Sequence, residues 1–341
     1  MKQPHPISSN EIIQLIHSYY GLHAQSITFI PLGDKSFSYN IRCQNGDTFY
    51  LKLLDKKTQE EAIKQTEYYL PLLTELHEKS LFPSAIYPIL TKDKRNKIEF
   101  DDIVFILFPW IDGPTLADSY PLEESYIRQI AKLLAALHTT TTIIGNNIYL
   151  PTETFNADFL NELHTYVMTL QQRSTPLELI DIITPKQKEI ISLIEQVKEL
   201  SKSFKYNQFP LVICHGDLWG GNLIQSPAGL RVIDWESVIL APMERELVGY
   251  ITQMPFVFIK AYEEEFGTRI IPNIDLLRFF SYRTQLHNLY SWLKNILIYQ
   301  LDEDQQMNDI EMIKYHCLNR WDGIEEALRK LEIHFMKKVG E

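Results

Sequence analysis

Val212-Ile213-Cys214-His215-Gly216-Asp217-Leu218-Trp219-Gly220-Gly221-Asn222-Leu223-Ile224 is the stretch on which the reading of this chain turns. An apolar run enters a polar, glycine-bearing loop, and a second apolar run leaves it. A further short run, Leu230-Arg231-Val232-Ile233, ends in Asp234-Trp235-Glu236. Short apolar runs bounded by turn residues predict strands, so Asp217, Asn222 and Asp234 fall at the ends of neighbouring strands. Converging oxygen donors suit Mg2+, which keeps company with phosphates, and a separate carboxylate nearby can accept a hydroxyl proton. Metal, positioning and a base beside the acceptor are what phosphoryl transfer from ATP requires. Taken singly, each residue also serves a turn: Asp and Asn bond their own backbone, and glycine supplies positive φ. The joint spacing H-G-D-x-x-x-x-N, with eleven residues between Asn222 and the aspartate of I-D-W-E, favours chemistry.

Outward from this stretch the chain changes texture once. Residues 9–20 predict an amphipathic helix, with Ser9 as cap and Gly21 as stop. Strands are predicted over 26–31, 37–43 and 48–54, the last two joined by the hairpin signal Asn45-Gly46-Asp47. A helix over 58–79, with Pro71 as a candidate kink, and strands over 86–90 and 103–108 follow. Beyond Pro109 the pattern is mainly helical, over 122–138, 155–171, 185–204, 255–266, 273–300 and 307–338. The class is α+β: an N-terminal lobe over 1–108 built on a small antiparallel sheet, a hinge over 109–114 and a larger helical C-terminal lobe over 115–341.

Composition narrows the partners. The 341 residues carry 33 Lys and Arg against 44 Asp and Glu, a net charge of −11. Phosphate neutralisation needs a basic surface, so nucleic acid is not expected, whereas a cationic small acceptor is compatible. Cys43, Cys214 and Cys317 are far apart and odd in number, against a disulfide framework or a cysteine metal site. A cytoplasmic setting is expected. The N-terminal residues lack the apolar core of a signal peptide. The longest apolar run, 103–111, is interrupted by Pro109 and too short for a membrane span.

The motifs, with the layout over most of the chain, resemble the aminoglycoside phosphotransferase and choline kinase family, whose fold is protein-kinase-like and two-lobed. The resemblance implies Asp217 as catalytic base, Asn222 and Asp234 as Mg2+ ligands, and His215 as support for the loop. It makes Lys52, in Tyr50-Leu51-Lys52-Leu53, the lysine that reaches the α- and β-phosphates of ATP or GTP, with Glu67, fifteen residues on, as its helix partner. Glu60 and Glu61 lie nearer the helix start, where acidic side chains serve the dipole. Read alone, a lysine at this position is ordinarily one on the solvent face of a half-buried strand. The loop over 31–38 lacks G-x-G-x-x-G, and Ser36 and Ser38 are its candidate phosphate donors. At the hinge, the Pro109 carbonyl and the Ile111 N–H are the groups expected to hold adenine.

The acceptor is less legible. Ala241-Pro242-Met243-Glu244-Arg245-Glu246-Leu247 has glutamate where the family has Asp-Leu, and its wording is most similar to members acting on spectinomycin. An aminoglycoside or aminocyclitol such as spectinomycin is therefore the expected acceptor. The alternatives are a metabolic kinase of choline, methylthioribose or an amino-alcohol, and an inactive binding protein of the same fold. Trp219 and Glu236 are the candidate contacts for a cationic acceptor. Their plain alternative has Trp219 packing on the loop and Glu236 in solvent.

Overall fold

The Ser8 hydroxyl accepts from the Glu11 N–H and caps the first helix, α1 (Ser9–Tyr20), so the cap lies one residue before the expected Ser9. Gly21 ends the helix at φ 73°, and Ile12, Leu15 and Ile16 form its buried stripe. The computed structural model describes residues 3–31, 36–145, 148–172, 175–299 and 301–339. After α1 come β1 (Ala24–Ile30), β2 (Phe37–Cys43), β3 (Thr48–Asp55), α2 (Glu60–Glu78), β4 (Ile98–Phe100) and β5 (Ile103–Pro109). The five strands make one antiparallel sheet in the order β1-β2-β3-β5-β4. Asn45 fixes the β2–β3 turn by accepting from the Asp47 N–H at 3.1 Å, and Gly46 takes the φ of 92° that the turn demands. The resulting register sets Lys52 opposite Ser38 on one side and Ile106 on the other.

One local expectation fails here. Residues 86–90 do not join the sheet as a strand. Pro88 offers no N–H to a ladder, and the segment is held by separate bonds from the Ile86 N–H to the Val232 carbonyl (3.3 Å) and from the Ile89 N–H to the Leu107 carbonyl (2.7 Å). The short β4 was not anticipated, because three residues carry no period. Pro71 lies inside α2 without ending it.

The chain continues through α3 (Glu124–Thr139), α4 (Phe159–Met168), α5 (Leu177–Ile183), α6 (Gln187–Phe204), β6 (Val212–Cys214), β7 (Leu223–Ser226), β8 (Gly229–Val232), β9 (Ile239–Ala241) and α7 (Glu244–Leu247). Four further helices follow: α8 (Pro255–Phe266), α9 (Ile274–Lys294), α10 (Glu303–Glu311) and α11 (Asp322–Val339). The helices read as 273–300 and 307–338 are broken by π-helical turns at Asn295–Tyr299 and Met312–Cys317. Among the described residues no helix is long and apolar enough to cross a membrane.

The chain divides into two compact units, and not at a single cut. One unit takes residues 1–123, 133–151 and 215–239; the other takes 124–132, 152–214 and 240–341. In this division the H-G-D segment groups with the N-terminal sheet. In the first unit α1 and the sheet close over Ile41, Leu51, Leu53, Phe105 and Leu107. Each such fully buried side chain is worth about 1.5–3 kcal/mol. In the second, α9 is packed by α4, α6, α7 and α11, and Leu160, Leu163, Ile194, Leu277 and Phe280 are buried.

Candidate active site

His215 is fully buried. Its Nδ1 accepts from the Asp217 N–H at 3.3 Å, so the ring proton lies on Nε2, which donates to the Ile233 carbonyl at 2.9 Å. The Ile233 N–H donates in turn to the Asn222 carbonyl at 3.1 Å. Ile233 is thus gripped on both its polar groups, and the residue after it, Asp234, is delivered beside Asn222. The Asn222 Nδ2 donates to the Asp217 carbonyl (2.7 Å) and to Asp217 Oδ2 (3.1 Å), which commits the amide nitrogen and leaves its oxygen as the acceptor. Asp234 adopts φ 62°, a left-handed conformation that Asp tolerates better than most residues. Gly216, at φ 84°, has no room for a side chain: a Cβ would lie 2.0 Å from the Ser237 carbonyl oxygen.

The loop is also held from residues 113–120, a contribution the sequence reading missed. The Leu116 N–H is shared between the Gly220 carbonyl (2.9 Å) and the Leu223 carbonyl (3.0 Å). The Tyr120 hydroxyl accepts from the Gly220 N–H at 3.0 Å. The only local signal was the turn pair Gly113-Pro114.

Lys52 is buried and not on a solvent face. Its Nζ lies 3.4 Å from Asp234 Oδ1 and also forms an ion pair with Glu236. Burial by itself disfavours the ammonium, but Tyr69, Asp234 and Glu236 around it outweigh that, and its pKa stands well above the usual lysine value. Burial pushes the Tyr69 phenol up as well, so the phenol brings no charge to the lysine near neutral pH.

Two assignments need correction. Glu67 does not partner Lys52: it is 64% exposed and pairs with Lys97. Positions 67 and 69 on a helix point about 200° apart, and it is Tyr69 that is buried beside the lysine. Glu236 is neither in solvent nor presented to an acceptor. It is buried against Lys52. Trp219 is 49% exposed, with its ring across Gly221, where a Cβ would come within 2.2 Å of it.

Ser38 is buried, with Oγ 2.7 Å from the Tyr50 hydroxyl, and Ser36 is buried too, whereas loop residues 32–35 lie outside the described residues. Pro109 closes β5 opposite Phe49, and the Trp110 N–H bonds the Thr48 carbonyl at 3.1 Å, leading the chain to a half-buried Ile111.

Asp217, Asn222, Asp234, Lys52 and Glu236 all belong to the first compact unit. Asn222 and Asp234 supply hard oxygen donors from adjacent backbone, which fits Mg2+ completing its shell with phosphate and water oxygens. Among the described residues no group of three or more His, Cys, Asp or Glu side chains could hold a metal, so a cation here relies on its ligand for most of its shell.

Burial pushes His215 down to about 4 and His138 down to about 3. An unfolded histidine titrates near 6.5. As the pH falls below about 6.5 the unfolded chain gains protons that the folded chain refuses, so stability is constant above that pH and lost below it. Thermal unfolding should show a Tm that declines steadily from about pH 6.5 to pH 5. A flat Tm over that range would contradict two buried neutral histidines.

A family model described as the phosphotransferase enzyme family matches residues 28–279. No curated protein matches the sequence. Among solved structures, a spectinomycin phosphotransferase in complex with ADP and spectinomycin superposes with a TM-score of 0.77 at 19% identity, covering 96% of this chain and 99% of that one. An amicoumacin kinase in complex with AMP-PNP and Ca2+ gives 0.61 at 12% identity, covering 90% and 93%. An aminoglycoside phosphotransferase from Alicyclobacillus acidocaldarius gives 0.59 at 14% identity, covering 97% and 98%. At these identities the likeness is one of fold, and the fold is the expected two-lobed, kinase-like α+β architecture.

Proposed function

This chain belongs to the phosphotransferase enzyme family, and from that premise we propose that it is a small-molecule kinase that moves the γ-phosphate of ATP or GTP to a hydroxyl of an aminocyclitol or aminoglycoside, spectinomycin first among them. The observation that carries the chemistry is the Asp217–Asn222–Asp234 constellation, locked by His215 through Ile233 and set beside a buried Lys52. An inactive binding protein has no need of all four residues.

Asp217 is exposed, and its carboxylate is steadied by Asn222. It accepts a hydrogen bond from the acceptor hydroxyl, orients it, and takes its proton as the new P–O bond forms and the bond from the γ-phosphorus to the β–γ bridging oxygen breaks, releasing the nucleoside diphosphate. Lys52 lends its charge to the α- and β-phosphates. The backbone at Pro109 and Ile111 holds the base, and Ser36 and Ser38 border the phosphates. Mg2+, held by Asn222 and Asp234, neutralises phosphate charge when bound.

The acceptor class is supported by three features. The chain carries a net charge of −11. The 241–247 stretch is worded like that of the spectinomycin-acting members. Trp219 offers a half-exposed indole two residues past the base. A tryptophan face attracts an ammonium by about 0.5–2 kcal/mol. Trp219→Ala should raise the KM of a cationic acceptor severalfold and leave the KM of ATP unchanged, and equal losses for both would make Trp219 a prop of the loop.

The test of the reading is an acceptor panel with labelled ATP and GTP, containing spectinomycin, several 2-deoxystreptamine aminoglycosides, choline and methylthioribose. Transfer to spectinomycin or an aminoglycoside is expected. Transfer only to choline or methylthioribose would replace the acceptor assignment, and transfer to none would overturn the reading.

A further inference from the structure

We infer that Glu236 is the positioning residue of Lys52, filling the role for which the sequence offered a glutamate of helix α2. The inference rests on the kinase reading above and adds to it the device that holds the phosphate-contacting lysine.

The helix has given up that role. Its Glu67 is turned outward to Lys97, which is also tied to Thr66 at 3.1 Å. The face it turns inward carries Tyr69, whose buried hydroxyl has no hydrogen-bond partner among the described residues. A phenol brings no counter-charge, and a buried ammonium requires one.

Among the described residues two carboxylates reach Lys52, and they differ in kind. Asp234 is 44% exposed and sits beside Asn222, where a metal-bound nucleotide claims it. Glu236 is 3% exposed, and among the described residues Lys52 is the cation it pairs with. Its neighbour Trp235 is anchored in the core: the indole Nε1 donates to the Val232 carbonyl at 3.3 Å, and the ring meets His215 and Phe82 edge-on at 4.9 and 5.9 Å. The turn bearing Glu236 is therefore fastened to the same histidine that braces the catalytic loop. Base, metal aspartate and lysine take their positions from one segment, 215–237. Helix α2 contributes packing to this arrangement and no charge.

The experiment uses the full chain. Mg-AMP-PNP affinity is measured by calorimetry, together with kcat and both KM values, for wild type, Glu236→Gln, Glu236→Asp, Glu67→Gln, Lys52→Met and the Lys52→Met/Glu236→Gln double variant. Glu236→Gln should weaken nucleotide binding about tenfold or more, as truncating one partner of a buried charge pair does, and leave the acceptor KM unchanged. Glu236→Asp should restore part of the loss. Glu67→Gln lies outside the cluster and should stay within about twofold of wild type, as surface changes do. The double variant should bind no more weakly than Lys52→Met alone, because Glu236 acts only through the lysine.

The double variant buries no unpaired charge, so it decides the matter even if Glu236→Gln does not fold. Losses that multiply in it, wild-type affinity in Glu236→Gln, or a tenfold loss in Glu67→Gln would each overturn the assignment while leaving the kinase reading in place. A wild type that binds no nucleotide would overturn both.

Discussion

Asp217→Asn is expected to lower kcat by about 10²–10⁴-fold, the usual worth of the general base proposed here, while Mg-nucleotide affinity should stay near that of wild type. The amide keeps the size of the carboxylate and changes only its charge. The loop does not depend on that charge for its shape: the Asn222 Nδ2 also bonds the backbone carbonyl of residue 217 at 2.7 Å, and His215 takes the backbone N–H. The residue is exposed, so the substitution buries nothing new. Single-turnover kinetics beside calorimetry separate the two quantities. A variant turning over within tenfold of wild type would show that the hydroxyl proton leaves by another route.

Asp234→Ala should reduce nucleotide affinity and turnover together. The expected loss exceeds about 10²-fold, above the range that outer-shell changes bring to a metal site. Asn222→Ala should be milder, since a neutral amide gives Mg2+ less charge. Asp234→Ala also places alanine at φ 62°, a strain of roughly 1–2 kcal/mol. Asp234→Asn separates the two causes, because asparagine accepts the left-handed conformation and lacks the charge. Unchanged calorimetry in the alanine variant would show that another group holds the ion.

Local chemistry made much of this molecule legible. Asn45-Gly46-Asp47 fixed a hairpin, and the register that follows from it carries Lys52 to its place. Helix α8 runs from Pro255 to Phe266, over the expected range 255–266. The spacing through 215–234 brings three candidate site residues together because the loop and strands are contiguous. What escaped is what local sequence does not encode. Whether residue 67 or 69 of a helix faces a strand depends on the helix's phase against the sheet. The burial of Glu236 depends on a lysine far back in the chain. The bond from Tyr120 to the loop crosses a separation of 100 residues. The π-helical turns are fixed by packing around α9 and leave no mark on periodicity.

Discontinuity of the first compact unit bears on how such a chain can be recombined. A hybrid joined at the hinge would take Lys52 from one parent and Glu236 from the other, and would lay a foreign sheet beside the 215–239 segment that belongs with it. Three separate stretches must travel together, with crossovers after residues 123, 132, 151, 214 and 239. For a phosphotransferase whose acceptor range is to be redesigned, inheritance of the phosphate-handling machinery follows these seams and not the linear order of the lobes.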